Sequence, residues 1–61
     1  MRIIRRREVQ DRKLGGCAKS TLYRLIRHYG FPKGIRLGPG LVGWDEDEVD
    51  RWLNERAAER E

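Results

Sequence analysis

Between Lys19 and Tyr29 the apolar residues recur at helical spacing. At about 100° per residue, Leu22, Leu25, Ile26 and Tyr29 fall in one arc, Ser20, Arg24 and Arg27 lie opposite, and Thr21, Tyr23 and His28 take the flanks. The pattern predicts an amphipathic helix over 19–29 with its apolar arc buried. Gly30 stands where a positive-φ residue commonly closes a helix, Pro32 blocks continuation, and Phe31 between them is expected in the core. Upstream, residues 6–13 are good helix formers with a thin apolar pattern, Val9 being the clear core candidate before Leu14. Gly15-Gly16 breaks that helix, and Cys17-Ala18 leads into the next. Two helices around a glycine-containing turn describe a helix-turn-helix over 6–29. Residues 1–5, with Ile3 and Ile4 among arginines, read as a short strand or an extended arm.

Downstream, Ile35-Arg36-Leu37 and Leu41-Val42-Gly43-Trp44 flank Gly38-Pro39-Gly40, the pattern of a β-hairpin over 33–44. A hairpin after a helix-turn-helix is a wing. The last helix, over 45–58, has the clearest boundary. Asp45 and Glu48 have capping-box spacing, the acids Glu46, Asp47 and Glu48 suit the positive end of the helix dipole, and Trp44 and Val49 are spaced as a hydrophobic staple. Val49, Trp52, Leu53 and Ala57 share one face, so Trp44 and Trp52 read as core aromatics, and residues 56–61 are expected to fray. The fold class is mainly α with a small β-hairpin, a winged helix-turn-helix of three helices plus a wing in one domain over 1–61.

Sixty-one residues lie near the lower limit for a core that folds without disulfides or metal. One cysteine and one histidine supply neither a disulfide nor four zinc ligands, so no metal or other cofactor is expected and Cys17 reads as a small core filler. The apolar runs are too short for a signal sequence or membrane span, which predicts a cytoplasmic protein of the nucleoid without a membrane partner.

The net charge of +4 conceals a division. Residues 1–44 hold eleven Lys and Arg against two acids, whereas residues 45–61 hold three Arg against eight acids. The first part is the candidate polyanion surface, and the acidic helix should point away from it. Within the basic part, Arg24 and Arg27 are the leading candidates for DNA contact, because a guanidinium reads guanine or clamps phosphate bidentately. Ser20 and Thr21 sit at the amino end of the helix, where hydroxyls and free amides meet phosphate, with Lys19 beside them. Tyr23 divides between covering the first helix and meeting the DNA backbone. Arg5, Arg6 and Arg7 add attraction without base selectivity. No nucleophile with a base, metal cluster or phosphate-binding glycine loop stands out, so neither an enzyme nor a small-molecule substrate is expected.

Taken in order, Glu8-Val9, Ser20-Thr21-Leu22-Tyr23-Arg24-Leu25-Ile26, Gly30-Phe31-Pro32, Leu37-Gly38-Pro39, Val42-Gly43-Trp44 and Glu48-Val49 with Trp52 closely resemble the AlpA-like family of small prophage-associated transcriptional regulators, similar to excisionases and MerR-type winged helices. The resemblance spans about Ile4 to Arg56. It implies a sequence-specific double-stranded-DNA-binding regulator of a prophage or mobile element, with the second helix in the major groove and the wing on flanking backbone or minor groove. The chain departs from the family at three places. Ala18 stands where a capping Ser is usual, the Leu14–Cys17 turn is longer, and Gly40 replaces a basic residue at the wing tip, which shifts expected wing contacts to Lys33 and Arg36. An excisionase-like DNA-bending factor is the nearest alternative, and a protein-interaction module such as an antitoxin or anti-repressor a more distant one. Self-association on DNA, an integrase and RNA polymerase stay open as further partners.

Overall fold

The computed structural model describes residues 1–60. The strand β1 (Ile3–Arg5) enters a single α-helical turn, α1 (Arg6–Glu8), which widens into a π-helical stretch, Val9–Lys13. After the Gly15-Gly16 turn come α2 (Lys19–His28), β2 (Ile35–Gly38), β3 (Leu41–Asp45) and α3 (Glu46–Glu59). The architecture is a winged helix-turn-helix.

The first helix differs in kind from the expectation, being mostly π-helical. The Leu14 N–H closes on the Val9 carbonyl at 3.0 Å, five residues back, and the Gly16 and Cys17 N–H groups both reach the Gln10 carbonyl, at 2.6 and 3.3 Å. A π turn takes up more residues than an α turn. The long Leu14–Cys17 connection is thus accommodated by a wider final turn that still buries Val9 completely.

The antiparallel sheet runs in the order β1-β3-β2, so the amino-terminal segment is the third strand of the wing rather than a free arm. Ile4 lies opposite Trp44, and both side chains face the helices. On the outer face Ile3 and Leu37 close over Gly43, whose missing side chain gives them room. A register shift between Arg36 and Gly38 leaves Leu37 as the extra residue, and Pro39-Gly40 forms the tip. Gly40 holds φ +65°, a region that strains any residue bearing a Cβ.

Nearly every element gives one side chain to the core: Ile4, Val9, Leu22, Trp44 and Val49 from strands and helices, and Phe31 from the α2–β2 link. Leu14, Cys17, Leu25, Ile26, Val42, Trp52 and Leu53 pack around them. The buried Trp44 indole donates to the Pro32 carbonyl at 2.9 Å, which removes the cost of hiding its N–H. Trp52 is only partly buried. Tyr29 leaves the expected apolar arc: α2 ends at His28, and Tyr29, already at the cap with φ −122°, is 50% exposed.

At the start of α3 the Asp45 carboxylate accepts from the Asp47 N–H at 3.1 Å, so the cap bonds the second helical position and not that of Glu48. Trp44 and Val49, the staple pair, are both in the core. Over the described residues α3 is helical past Arg56, where fraying is expected from the sequence. The helix continues to Glu59, and within it Arg56 donates to the Tyr29 carbonyl, at the end of α2, at 2.8 Å. Glu61, included in that expectation, lies outside the described residues.

Candidate nucleic-acid interface

The cations of the basic segment divide into two groups. Lys13 reaches Asp50 at 2.8 Å and Glu46 at 3.1 Å, tying the first helix to α3. These bonds, the one to Asp50 foremost, hold its ammonium above the ordinary lysine pKa of 10.5. Arg2 lies 3.9 Å from both Glu8 and Glu46, Arg12 lies 3.3 Å from Glu8, and Arg7 lies 3.7 Å from Asp11. By contrast, among the described residues Arg5, Arg6, Lys19, Arg24, Arg27, Lys33 and Arg36 form no ion pair. The whole basic segment is therefore not one open surface: part of its charge is neutralised internally.

Four of these unpaired cations, Arg5, Arg6, Arg24 and Arg27, line concavities that share Tyr23, and the paired Arg7 joins them. A cleft of about 230 Å³ is lined by Arg5, Arg6, Arg7, Tyr23, Gly40, Val42 and Trp44, bringing the start of the first helix, α2 and the wing tip together. A second, more open concavity of about 280 Å³ is lined by Ser20, Tyr23, Arg24, Arg27 and His28. Tyr23 belongs to both, so the two form one continuous surface along α2. The β-strand pairing explains the first cleft, because β1 ends beside Gly43 and delivers the chain into α1 next to the hairpin. Helical periodicity explains the second, since Leu22 points inward and turns Ser20, Arg24 and Arg27 outward.

Other candidates lie outside the two concavities. Lys19 leans on Tyr23 with its ammonium 6.0 Å from the ring centroid, and Thr21 is exposed on α2. Lys33 is exposed in the α2–β2 link, and Arg36 stands on β2 opposite Val42. Of the wing, Gly40 at the tip with Val42 and Trp44 on β3, rather than Lys33 or Arg36, border the cleft. At the amino end of α2, Ala18 caps with no side-chain bond, so the first-turn amides are left without that partner. His28, on the flank of the predicted helix, joins the second concavity because it sits one turn beyond Arg24. Val42 and Trp44 form part of the first cleft's wall, a role that core-like patterning concealed.

Among the described residues no group of three or more His, Cys, Asp or Glu could hold a metal ion, and no helix is long and apolar enough to cross a membrane.

A family model described as Prophage CP4-57 regulatory protein (AlpA) matches residues 2–57. Among curated proteins, "Uncharacterized protein ORF88" of Enterobacteria phage P4 is 43% identical over 47 residues, which are 77% of this chain and 53% of that protein. "DNA-binding transcriptional activator AlpA" of Escherichia coli is 38% identical over 47 residues, 67% of each chain. The chain thus corresponds to about half the length of the first relative and two thirds of the second. No solved structure matches it significantly.

Proposed function

The chain belongs to the family described as Prophage CP4-57 regulatory protein (AlpA), and from that premise we propose that it is a sequence-specific double-stranded-DNA-binding transcriptional regulator of a prophage or mobile element. The observation that carries this reading is the sorting of charge: Arg5, Arg6, Arg24 and Arg27, without an ion-pair partner among the described residues, line the surface shared by α2, the first helix and the wing tip, while Lys13, facing α3, is neutralised.

In this reading α2 enters the major groove and the wing lies against the flanking backbone. Arg24 and Arg27 meet base edges or clamp phosphates, and Ser20 and Thr21 act with the open amides of the first turn on a phosphate. Arg5, Arg6 and Arg7, with Tyr23, seat the adjoining backbone. Lys19, Lys33 and Arg36 add longer-range attraction. A single module buries only about 600–1,000 Å² of protein surface on DNA, so tight occupancy calls for several copies or a second protein such as an integrase or RNA polymerase.

Selection of bound duplexes from a random pool, followed by a salt titration on the selected site, tests the reading. A consensus should emerge, direct or inverted repeats within it would report self-association, and log K should fall by about 0.9 per contacted phosphate against log salt. A flat salt response, or no consensus, overturns it.

A further inference from the structure

The recognition helix is lightly embedded. Of its ten residues only Leu22 is fully buried, with Leu25 and Ile26 packed at the edge of the core. Packing of this kind sets how deep the helix lies and leaves its tilt to its two ends. Both ends are held through backbone groups just outside α2. At the entrance, Gln10 grips the turn twice, accepting from Gly16 and Cys17 through its carbonyl and donating from Nε2 to the Cys17 carbonyl at 3.1 Å. At the exit, the Tyr29 carbonyl accepts from Trp52 Nε1 at 3.1 Å and from Arg56 Nη2 at 2.8 Å, two donors on α3.

The exit donors are themselves fixed. The Trp52 ring meets Phe31 edge-on with centroids 4.9 Å apart, and the Arg56 guanidinium lies 5.2 Å from the Trp52 ring centroid. Phe31 is a core residue, so the arrangement runs from the core through Trp52 to the end of α2. A cation there also complements the partial negative charge of a helix carboxyl end. Arg27 lies two residues before Tyr29 and Arg24 five, so a change of tilt at Tyr29 moves both guanidiniums.

We propose that Trp52 and Arg56 are positioning residues for sequence reading: by holding the Tyr29 carbonyl they set the angle at which Arg24 and Arg27 are presented. This rests on the DNA reading above. Misalignment should cost directional base contacts, whereas attraction to phosphate depends mainly on distance and tolerates a small rotation.

The test uses Trp52→Phe, which keeps a ring without the donor, Arg56→Met, which keeps the stem without the charge, and the double variant. Each is titrated on the selected duplex and on a scrambled one, and backbone amide exchange is followed in the free protein. The double variant should lower the selected-to-scrambled affinity ratio about tenfold, leave the salt slope unchanged, and speed exchange of the last amides of α2. Arg56→Lys, still a donor, should keep more of the ratio than Arg56→Met. An unchanged ratio in a wild-type background that does select a sequence overturns the inference alone, as does an equal loss on both duplexes. A wild-type chain that selects no sequence overturns the DNA reading, and amide exchange then decides the clamp: unchanged exchange in the double variant overturns it.

Discussion

Lys13 and Arg24 carry the same charge and stand eleven residues apart, yet the fold puts them to opposite uses. Lys13 is largely covered between Glu46 and Asp50, at 3.1 and 2.8 Å, and joins the first helix to α3. Arg24 projects from α2 into a concavity shared with Ser20, Tyr23, Arg27 and His28, with no acid bound to it among the described residues. The acidic character of α3 thus has a use inside the fold. It neutralises one side of the basic segment, leaving net positive charge concentrated on the other.

The comparison breaks most visibly at Arg24. Arg24→Ala should weaken binding to the selected duplex by about 1–3 kcal/mol while leaving urea unfolding within about 0.5 kcal/mol of wild type. A stability loss as large as the affinity loss would erase the distinction between the two sides.

Asp45→Ala tests the neutralising side at the origin of α3. Removing the cap bond to Asp47 should destabilise the protein by about 0.5–2 kcal/mol, read by urea unfolding. Under conditions where the variant stays folded, its salt slope on DNA should match wild type, because no uncompensated cation is lost.

Ala18→Ser sharpens the open side. A hydroxyl at the uncapped start of α2 should add up to about 1 kcal/mol of stability and retain duplex binding. Lowered stability would place the true cap elsewhere in the glycine turn.

The smallest expected effect belongs to Lys13. Its pKa is raised in the folded protein, so the stabilisation it brings is fully present below the unfolded value of 10.5 and is lost as pH rises through the folded value. Lys13→Met should therefore be less stable than wild type at neutral pH, and the gap should close in strongly alkaline buffer. A gap that persists unchanged above both pKa values would mean that packing of the side chain, not its charge, joins the helices.

Much of this organisation was legible in local patterns. The α2 periodicity separates Leu22 from Ser20, Arg24 and Arg27, the Gly-Pro-Gly tip marks the hairpin, and the acids after Asp45 mark the start of α3, because each signal acts within a few residues of chain. The same locality explains the misses. A π-helical first helix depends on where Gln10 finds partners across the glycine turn, and the Arg56 guanidinium bonds a carbonyl 27 residues away. Neither partner can be read from spacing.

The amino-acid sequence by itself determined the winged helix-turn-helix, the face of α2 that carries its guanidiniums and the division between a basic and an acidic part, since these follow from period, turn chemistry and composition. Only the tertiary structure decided that residues 3–5 join the wing as a strand, which cations remain uncompensated, and that α3 grips the end of α2. Ion pairing and long-range hydrogen bonds require groups distant in the chain to come within a few ångströms, and that proximity exists only once the core around Ile4, Leu22, Phe31 and Trp44 has closed.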